Sequence, residues 1–330
     1  LSCFRASLAA PHPTPTVLMA TEQTPAYTSA SSGPTTIVLA GASGELGLQI
    51  ALSLLERGAY VRALIRRGST NPQIATLREQ GATVVEVDFA NSKELTEACV
   101  GAACVVSALS GLRDVIVDTQ ARLLDAAVAA GVPRFIPSDY SIDYTKLPYG
   151  SNRNLDLRRE FQERLDKAPI AATSVLNGMF TDLLTGQAPV VLFKLHRVAY
   201  WGNADQPLDF TTLADTAAFT AAAALDPTTP RFLRVAGEVA TIRGVQAAAS
   251  AATGKKFGLL WAGGLGVLGT MIKVTRALMP TSDEVFPPWQ GMQYLHNMFS
   301  GLPKLAPLDN ARYPEIRWTS VREVLKSRNE

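Results

Sequence analysis

Thr35 to Gly47 reads Thr-Thr-Ile-Val-Leu-Ala-Gly-Ala-Ser-Gly-Glu-Leu-Gly, and no other stretch restricts the fold as strongly. Residues 36–40 have the short apolar pattern of a buried strand. Glycines follow at 41, 44 and 47, and an amphipathic helix begins at Leu46. Strand, glycine turn and helix in that order make a dinucleotide-binding unit. Gly41 allows the tight turn, Gly44 removes a side chain where a pyrophosphate must approach the backbone, and Gly47 lets the helix pack closely on the sheet. The helix N-terminus offers free N–H groups and a positive dipole end to phosphates. Ser43, Glu45 and Leu46 complete this candidate cofactor-binding turn. The competing reading is an ordinary glycine turn, which does not require the strand and helix that flank this one.

From Thr35 to about Ile136 the pattern repeats. Strands are expected at 36–40, 60–65, 83–88, 103–107 and 133–136, and helices at 46–57, 71–80, 91–99 and 114–130. Asn91 followed by Glu94 has the spacing of a capping box. Short apolar strands alternating with helices imply an α/β fold, a Rossmann-type doubly wound parallel sheet covered on both faces. Ligands of such sheets lie outside the carboxyl ends of the strands, at the topological switch point.

The second strand ends Ile65-Arg66-Arg67, about 20 residues past the glycine turn, where an acidic residue would accept from the ribose hydroxyls of NAD. A guanidinium fork there suits a 2′-phosphate, so NADP is expected, with one arginine of the pair as its ligand. One arginine of the pair is expected only to solvate the strand end. The third strand ends at Asp88, which could accept from the adenine amino group or cap a helix. The fourth ends Ser107-Ala108-Leu109, small enough to let backbone approach the cofactor; the alternative is a tight turn before the next helix.

The chain has 330 residues and a net charge of +2, with basic and acidic residues interspersed, so no nucleic-acid stripe is expected. Cys3, Cys99 and Cys104 have no framework spacing and read as reduced thiols, the last two as small core residues. His12, His196 and His296 are scattered, so no metal site is expected. Residues 1–34 are rich in Ser, Thr, Ala and Pro. They read as a disordered tail or a transit segment, with Met19 as an original start; the expected setting is intracellular, in the cytoplasm or a plastid. The apolar run Gly258–Met271 is too short and glycine-rich for a membrane span, and Gly258–Pro280 is expected to be one interfacial or packed helix.

The second half is expected to supply a sixth core strand at 171–176, paired strands at 190–194 and 197–201, and helices at 213–225 and 240–252. Met292, Leu295, Met298 and Phe299 share a helical face, more often core than substrate wall. The division drawn is 1–34 as tail, 35–150 as an NADP-binding core, and 151–330 as the remaining core strand plus a smaller α/β substrate region.

Gly41-Ala-Ser-Gly-Glu-Leu-Gly47, Arg66, Val105-Val-Ser-Ala-Leu109, Gly131-Val-Pro-Arg-Phe-Ile-Pro-Ser138 and Asn177-Gly-Met-Phe180 together resemble the NmrA-like and isoflavone-reductase-like branch of the atypical short-chain dehydrogenases. The resemblance covers about residues 35–300. It implies that the glycine turn holds a pyrophosphate, that Arg66 holds the 2′-phosphate, and that Ser107, Ala108 and Leu109 lie along the cofactor. It also implies a lysine on the helix before the sixth strand, facing the nicotinamide. That helix here reads Asn154-Leu-Asp-Leu-Arg-Arg-Glu-Phe-Gln-Glu-Arg-Leu165, with no lysine. Asn154 or Arg158 takes its place, and neither donates a proton easily. No Tyr-x-x-x-Lys pair exists; Tyr149 to Arg153 is the nearest approach, and Tyr140, Tyr144 and Lys146 are weak donor candidates expected to serve packing. The expected function is NADPH-dependent hydride transfer to a small, aromatic or quinone-like substrate, with a catalytic residue left unassigned. The alternative is a non-catalytic NADP(H)-binding regulator with a protein partner.

Overall fold

Alternate residues of the first strand are apolar on both sides, which only a sheet covered on two faces can bury. A computed structural model describes residues 33–280 and 283–328; the expectations for residues 1–32, with Met19, Cys3 and His12, lie outside them. Strand β1 (Thr36–Ala40) is followed by α1 (Glu45–Glu56), β2 (Tyr60–Arg66), α2 (Gln73–Glu79), β3 (Thr83–Val87), α3 (Ser92–Cys99) and β4 (Cys104–Ser107). A π-helical segment, Asp114–Thr119, then runs into α4 (Gln120–Ala129), where one continuous helix was expected, and β5 (Arg134–Ile136) and α5 (Arg153–Leu165) follow. Ile37 and Leu39 enter one core layer with Ile50 and Leu54 of α1; Val38 and Ala40 enter the other with Leu95, Leu124, Phe135 and Phe161. Cys99 and Cys104 sit in these layers as small apolar groups, and burial pushes their thiols up to about 11 and about 12, against the nearby Arg62 and Arg134 charges.

The expected sixth strand divides at Thr173. Its first part, β6 (Ala171–Ala172), closes the parallel sheet in the order β3-β2-β1-β4-β5-β6. The second part, β7 (Ser174–Leu176), pairs instead with a later strand. Both halves are apolar, so nothing in the sequence marks the break. After β8 (Met179–Phe180) come β9 (Val191–Leu192) and β10 (Arg197–Tyr200), which pair as expected and do so antiparallel, then β11 (Leu208–Thr211) and α6 (Leu213–Leu225). Strand β12 (Phe232–Arg234) is β7's parallel partner. It is followed by β13 (Glu238–Ala240), α7 (Ile242–Thr253), β14 (Gly258–Trp261), α8 (Leu265–Leu278), α9 (Pro288–Ser300) and α10 (Val321–Lys326).

The single helix expected over 258–280 is corrected: Gly258–Trp261 forms β14, parallel to β10, and the helix starts only at Leu265. An apolar run without clear period does not reveal where strand gives way to helix. No helix among the described residues is long and apolar enough to cross a membrane. Leu295, Met298 and Phe299 of α9 are core, packed with Trp201 and Phe210.

Helix α6 returns to the first half of the chain. It packs on α1, and its Phe219 joins the layer beneath β1 and β2. Arg134 of β5 is buried and donates to the α6 carbonyls of Ala223 (2.9 Å) and Ala224 (3.0 Å), closing that helix's last turn. Beyond it, Asp226 accepts from Arg312, Tyr313 and Thr228, tying the C-terminal segment to α6. Burial opposes its ionisation, but these hydrogen bonds outweigh it and hold the carboxyl well below the usual range. A depressed carboxylate stabilises the fold above its unfolded pKa and stops doing so as pH falls. Asp226→Asn should therefore melt below wild type at pH 7, with a gap that starts to shrink below about pH 4 and closes only well below that. Thermal melts of both proteins at several pH values check this.

Candidate functional site

The strand order reverses between β1 and β4, so the crevice lies where Gly41 leaves β1 and Ala108 leaves β4. Gly41 has φ +78°, and a Cβ there would stand 2.5 Å from the Ala108 carbonyl oxygen. A Cβ on Gly47 would stand 2.0 Å from the Gly41 carbonyl oxygen, so α1 rests on the turn itself as well as on the sheet. Gly44 differs: its N–H donates to Gly41 O (3.0 Å), and an added Cβ would meet only that oxygen, at 3.3 Å. It is exposed and begins α1 with no side-chain cap, leaving the first N–H groups at Glu45 and Leu46 open. Ser43 contributes its carbonyl, which accepts from Asn71 Nδ2 at 3.0 Å. Asn71 was missed in the sequence. It lies in the loop after β2 and fastens that loop to the glycine turn.

The two arginines separate. Arg67 pairs with Glu94 at 2.8 Å, and Glu94 also accepts from the Asp88 backbone N–H at 3.0 Å. That backbone bond and then Arg67 lower the Glu94 pKa. Arg66 is exposed at the carboxyl end of β2 and makes no ion pair among the described residues. Asp88 closes a turn, accepting from Ala90 N–H at 2.8 Å, while Asn91 caps α3 by accepting from Lys93 and Glu94. The expected capping box is therefore incomplete, because Glu94 is drawn to Asp88 and to the Asn91 amide rather than to the Asn91 N–H.

Ser107 is buried at the end of β4, its Oγ without a partner. Ala108 and Leu109 are half-buried beside Gly41 and Ser138, whose hydroxyl donates to Leu109 O at 2.7 Å. Other buried atoms without partners gather toward this end of the sheet: Asp139 Oδ1 after β5, the whole amide of Asn177 after β7, and Arg158 Nε on α5. Folded proteins rarely leave such atoms unpaired. Ser107, Asp139 and Asn177 thus hold, at the carboxyl ends of β4, β5 and β7, polar atoms that a bound ligand could pair.

On α5, Asn154 is buried and its amide is committed, donating to Val285 O (2.8 Å) and accepting from Arg153 (3.1 Å). Arg158 donates to Asn154 O at 3.0 Å. Tyr140 and Tyr144 are buried, and Lys146 donates to Lys304 O at 2.6 Å and lies 3.5 Å from Asp143. Tyr149 donates to Glu163 at 2.8 Å.

A model of the NmrA-like family matches residues 34–272. The chain is similar to pinoresinol reductase 1 of Arabidopsis thaliana, 26% identical over 210 residues that cover 59% of this chain and 66% of that protein. It therefore spans just under two thirds of that relative. It is also similar to the bifunctional pinoresinol-lariciresinol reductase of Linum album, 24% identical over 319 residues, 90% of this chain and 95% of that one. Among solved structures, AtPrR2 with NADP+ and (+)pinoresinol superposes with a TM-score of 0.76 at 21% identity, over 90% of this chain and 99% of that one.

Proposed function

The chain belongs to the NmrA-like family, and we propose that it is an NADPH-dependent reductase acting on a small, flat, aromatic or quinone-like substrate. The observation that carries this is Arg66, an uncommitted guanidinium at the end of β2, within one loop of a glycine turn whose helix lacks a side-chain cap. The residues fit the cofactor. Gly44 leaves room that a Cβ would fill, Glu45 and Leu46 offer backbone N–H groups to a pyrophosphate, Arg66 offers a fork to a 2′-phosphate, and Ser107 has a buried hydroxyl with no partner. Bound NADPH would supply hydride. Asp88 can still offer its second carboxylate oxygen to an adenine amino group while the first holds the turn. Relatives named as reductases, and a neighbour holding NADP+ and (+)pinoresinol, support the reading.

One observation favours a second reading, an NADP(H)-binding regulator: α5 offers no ammonium, and the Asn154 amide is committed to Val285 and Arg153. Purified protein supplied with NADPH or NADH and panels of carbonyl, enone and quinone acceptors separates the two. Turnover with preference for NADPH is expected. Tight NADPH binding without turnover on any panel would favour the regulator, and absence of binding would remove both.

A further inference from the structure

We propose that Asp139 is the proton-donating acid of this site, delivering its proton from Oδ1 to the substrate oxygen as hydride reaches the adjacent carbon. The inference rests on the reductase reading above and assigns the role that α5 leaves open.

Asp139 is fully buried, three residues beyond β5. The residue before it, Ser138, donates to Leu109 O just past the end of the neighbouring strand β4, so Asp139 belongs to the loop that leaves the same carboxyl edge of the sheet. Its two oxygens are unlike. Oδ2 accepts from Tyr144 Oη at 2.8 Å and from Ser174 Oγ at 2.6 Å. Ser174 Oγ itself accepts from Arg231 at 2.7 Å, so its only proton is directed at Asp139. With two hydroxyl protons already on Oδ2, a proton carried by the carboxyl sits on Oδ1. That oxygen is buried and has no partner. Arg158 Nε, close enough to interact with Asp139 through charge, is also buried and unpartnered. A substrate oxygen between them would accept from both, and Arg158 would steady the negative charge that develops on it.

Burial raises the Asp139 pKa, against the hydrogen bonds from Ser174 and Tyr144 and the charges of Arg158 and Arg231. The groups facing it are Tyr144 from the loop after β5, Arg158 from α5 and Arg231 from the segment before β12, with Tyr140 next to it in the chain. Arg231 is itself paired with Asp166 at 2.8 Å, which turns part of its charge away. The step balances. A C=O takes hydride at carbon and the Asp139 proton at oxygen, giving CH–OH. NADPH becomes NADP+, and the Asp139 carboxylate recovers a proton from solvent after product leaves.

The test uses the full chain and begins without cofactor. Infrared difference spectra of wild type against Asp139→Asn should show, at neutral pH, the carbonyl stretch of a protonated carboxylic acid that the variant lacks. A carboxylate signature there instead would overturn the proposal. With NADPH and a quinone, Asp139→Asn should lose about 100-fold or more in kcat, with KM and NADPH affinity unchanged. Tyr144→Phe leaves Oδ1 intact and removes one donor that favours the ionised form. It should move the alkaline fall in activity to higher pH, a shift that a merely structural role would not produce. Retention of kcat by Asp139→Asn, or an unmoved pH profile in Tyr144→Phe, overturns the donor role alone. No turnover by wild type, with NADPH bound, overturns the reductase reading and the donor role with it.

Discussion

Replacing Gly47 by alanine is expected to destabilise the fold by roughly 3 kcal/mol or more, a fall in Tm of roughly 6 °C or more. The new methyl carbon would lie 2.0 Å from the Gly41 carbonyl oxygen, 2.8 Å from its carbon and 2.9 Å from Ala42 Cα. All three are backbone atoms, so no rotamer can move aside. Either α1 lifts off the turn, uncovering Ile50 and Leu54, or the turn distorts at a position already held at φ +78°. Gly44→Ala is the control. Its φ is −80° and its closest neighbour would be one oxygen at 3.3 Å, so stability should change by less than about 1 kcal/mol. NADPH affinity should nevertheless fall, because the methyl occupies the space proposed for the pyrophosphate. Denaturation curves and nicotinamide fluorescence titrations on both variants separate the packing glycine from the binding one. Gly44→Ala with unaltered affinity would remove the turn from the proposed site.

Arg66→Ala is expected to weaken NADPH binding by roughly 10- to 100-fold, the equivalent of losing charge-assisted hydrogen bonds worth about 1.5–3 kcal/mol, and to leave NADH binding almost unchanged. The 2′-phosphate is the only difference between the two nucleotides, so the ratio of their affinities isolates the contribution of the guanidinium. Arg67→Ala should leave that ratio intact, because Arg67 is engaged with Glu94 and its loss affects only an exposed ion pair. Equal loss of both nucleotides in Arg66→Ala would mean a general disturbance of the loop rather than a phosphate ligand.

What could be read in the sequence was local. The glycine turn, the strand before it and the four strands β2 to β5 after it all lie within windows of a few residues, where the period is explicit. Local pattern did not separate Arg66 from Arg67; only the family resemblance named Arg66, because the physical distinction depends on Glu94 reaching across from α3. Asn71, read as the first residue of the second helix, had no visible role until its amide met Ser43 O in the loop before that helix. Asp139 stood in plain view in Pro137-Ser-Asp-Tyr140 without a role. Its environment comes from Ser174, 35 residues on, and from Arg231, 57 residues beyond that serine. Such groups meet only through strand order, which no local pattern encodes. The β6–β7 break and β14 were missed because partner choice, not composition, decides them.

The return of α6 to the face of α1 bears on how such a chain can be rearranged. The glycine turn is encoded near one end, yet Ala217, Phe219 and Ala221, more than 150 residues later, complete the layer beneath it. A fragment ending at residue 150 would carry every ligand proposed for the cofactor and an uncovered apolar wall behind them. The cofactor unit is thus not a portable module. Recombination that exchanges substrate-side segments must preserve 213–225 or supply a helix of the same small-residue thickness, and an insertion is tolerated in the loops between these elements more readily than a transfer of either half.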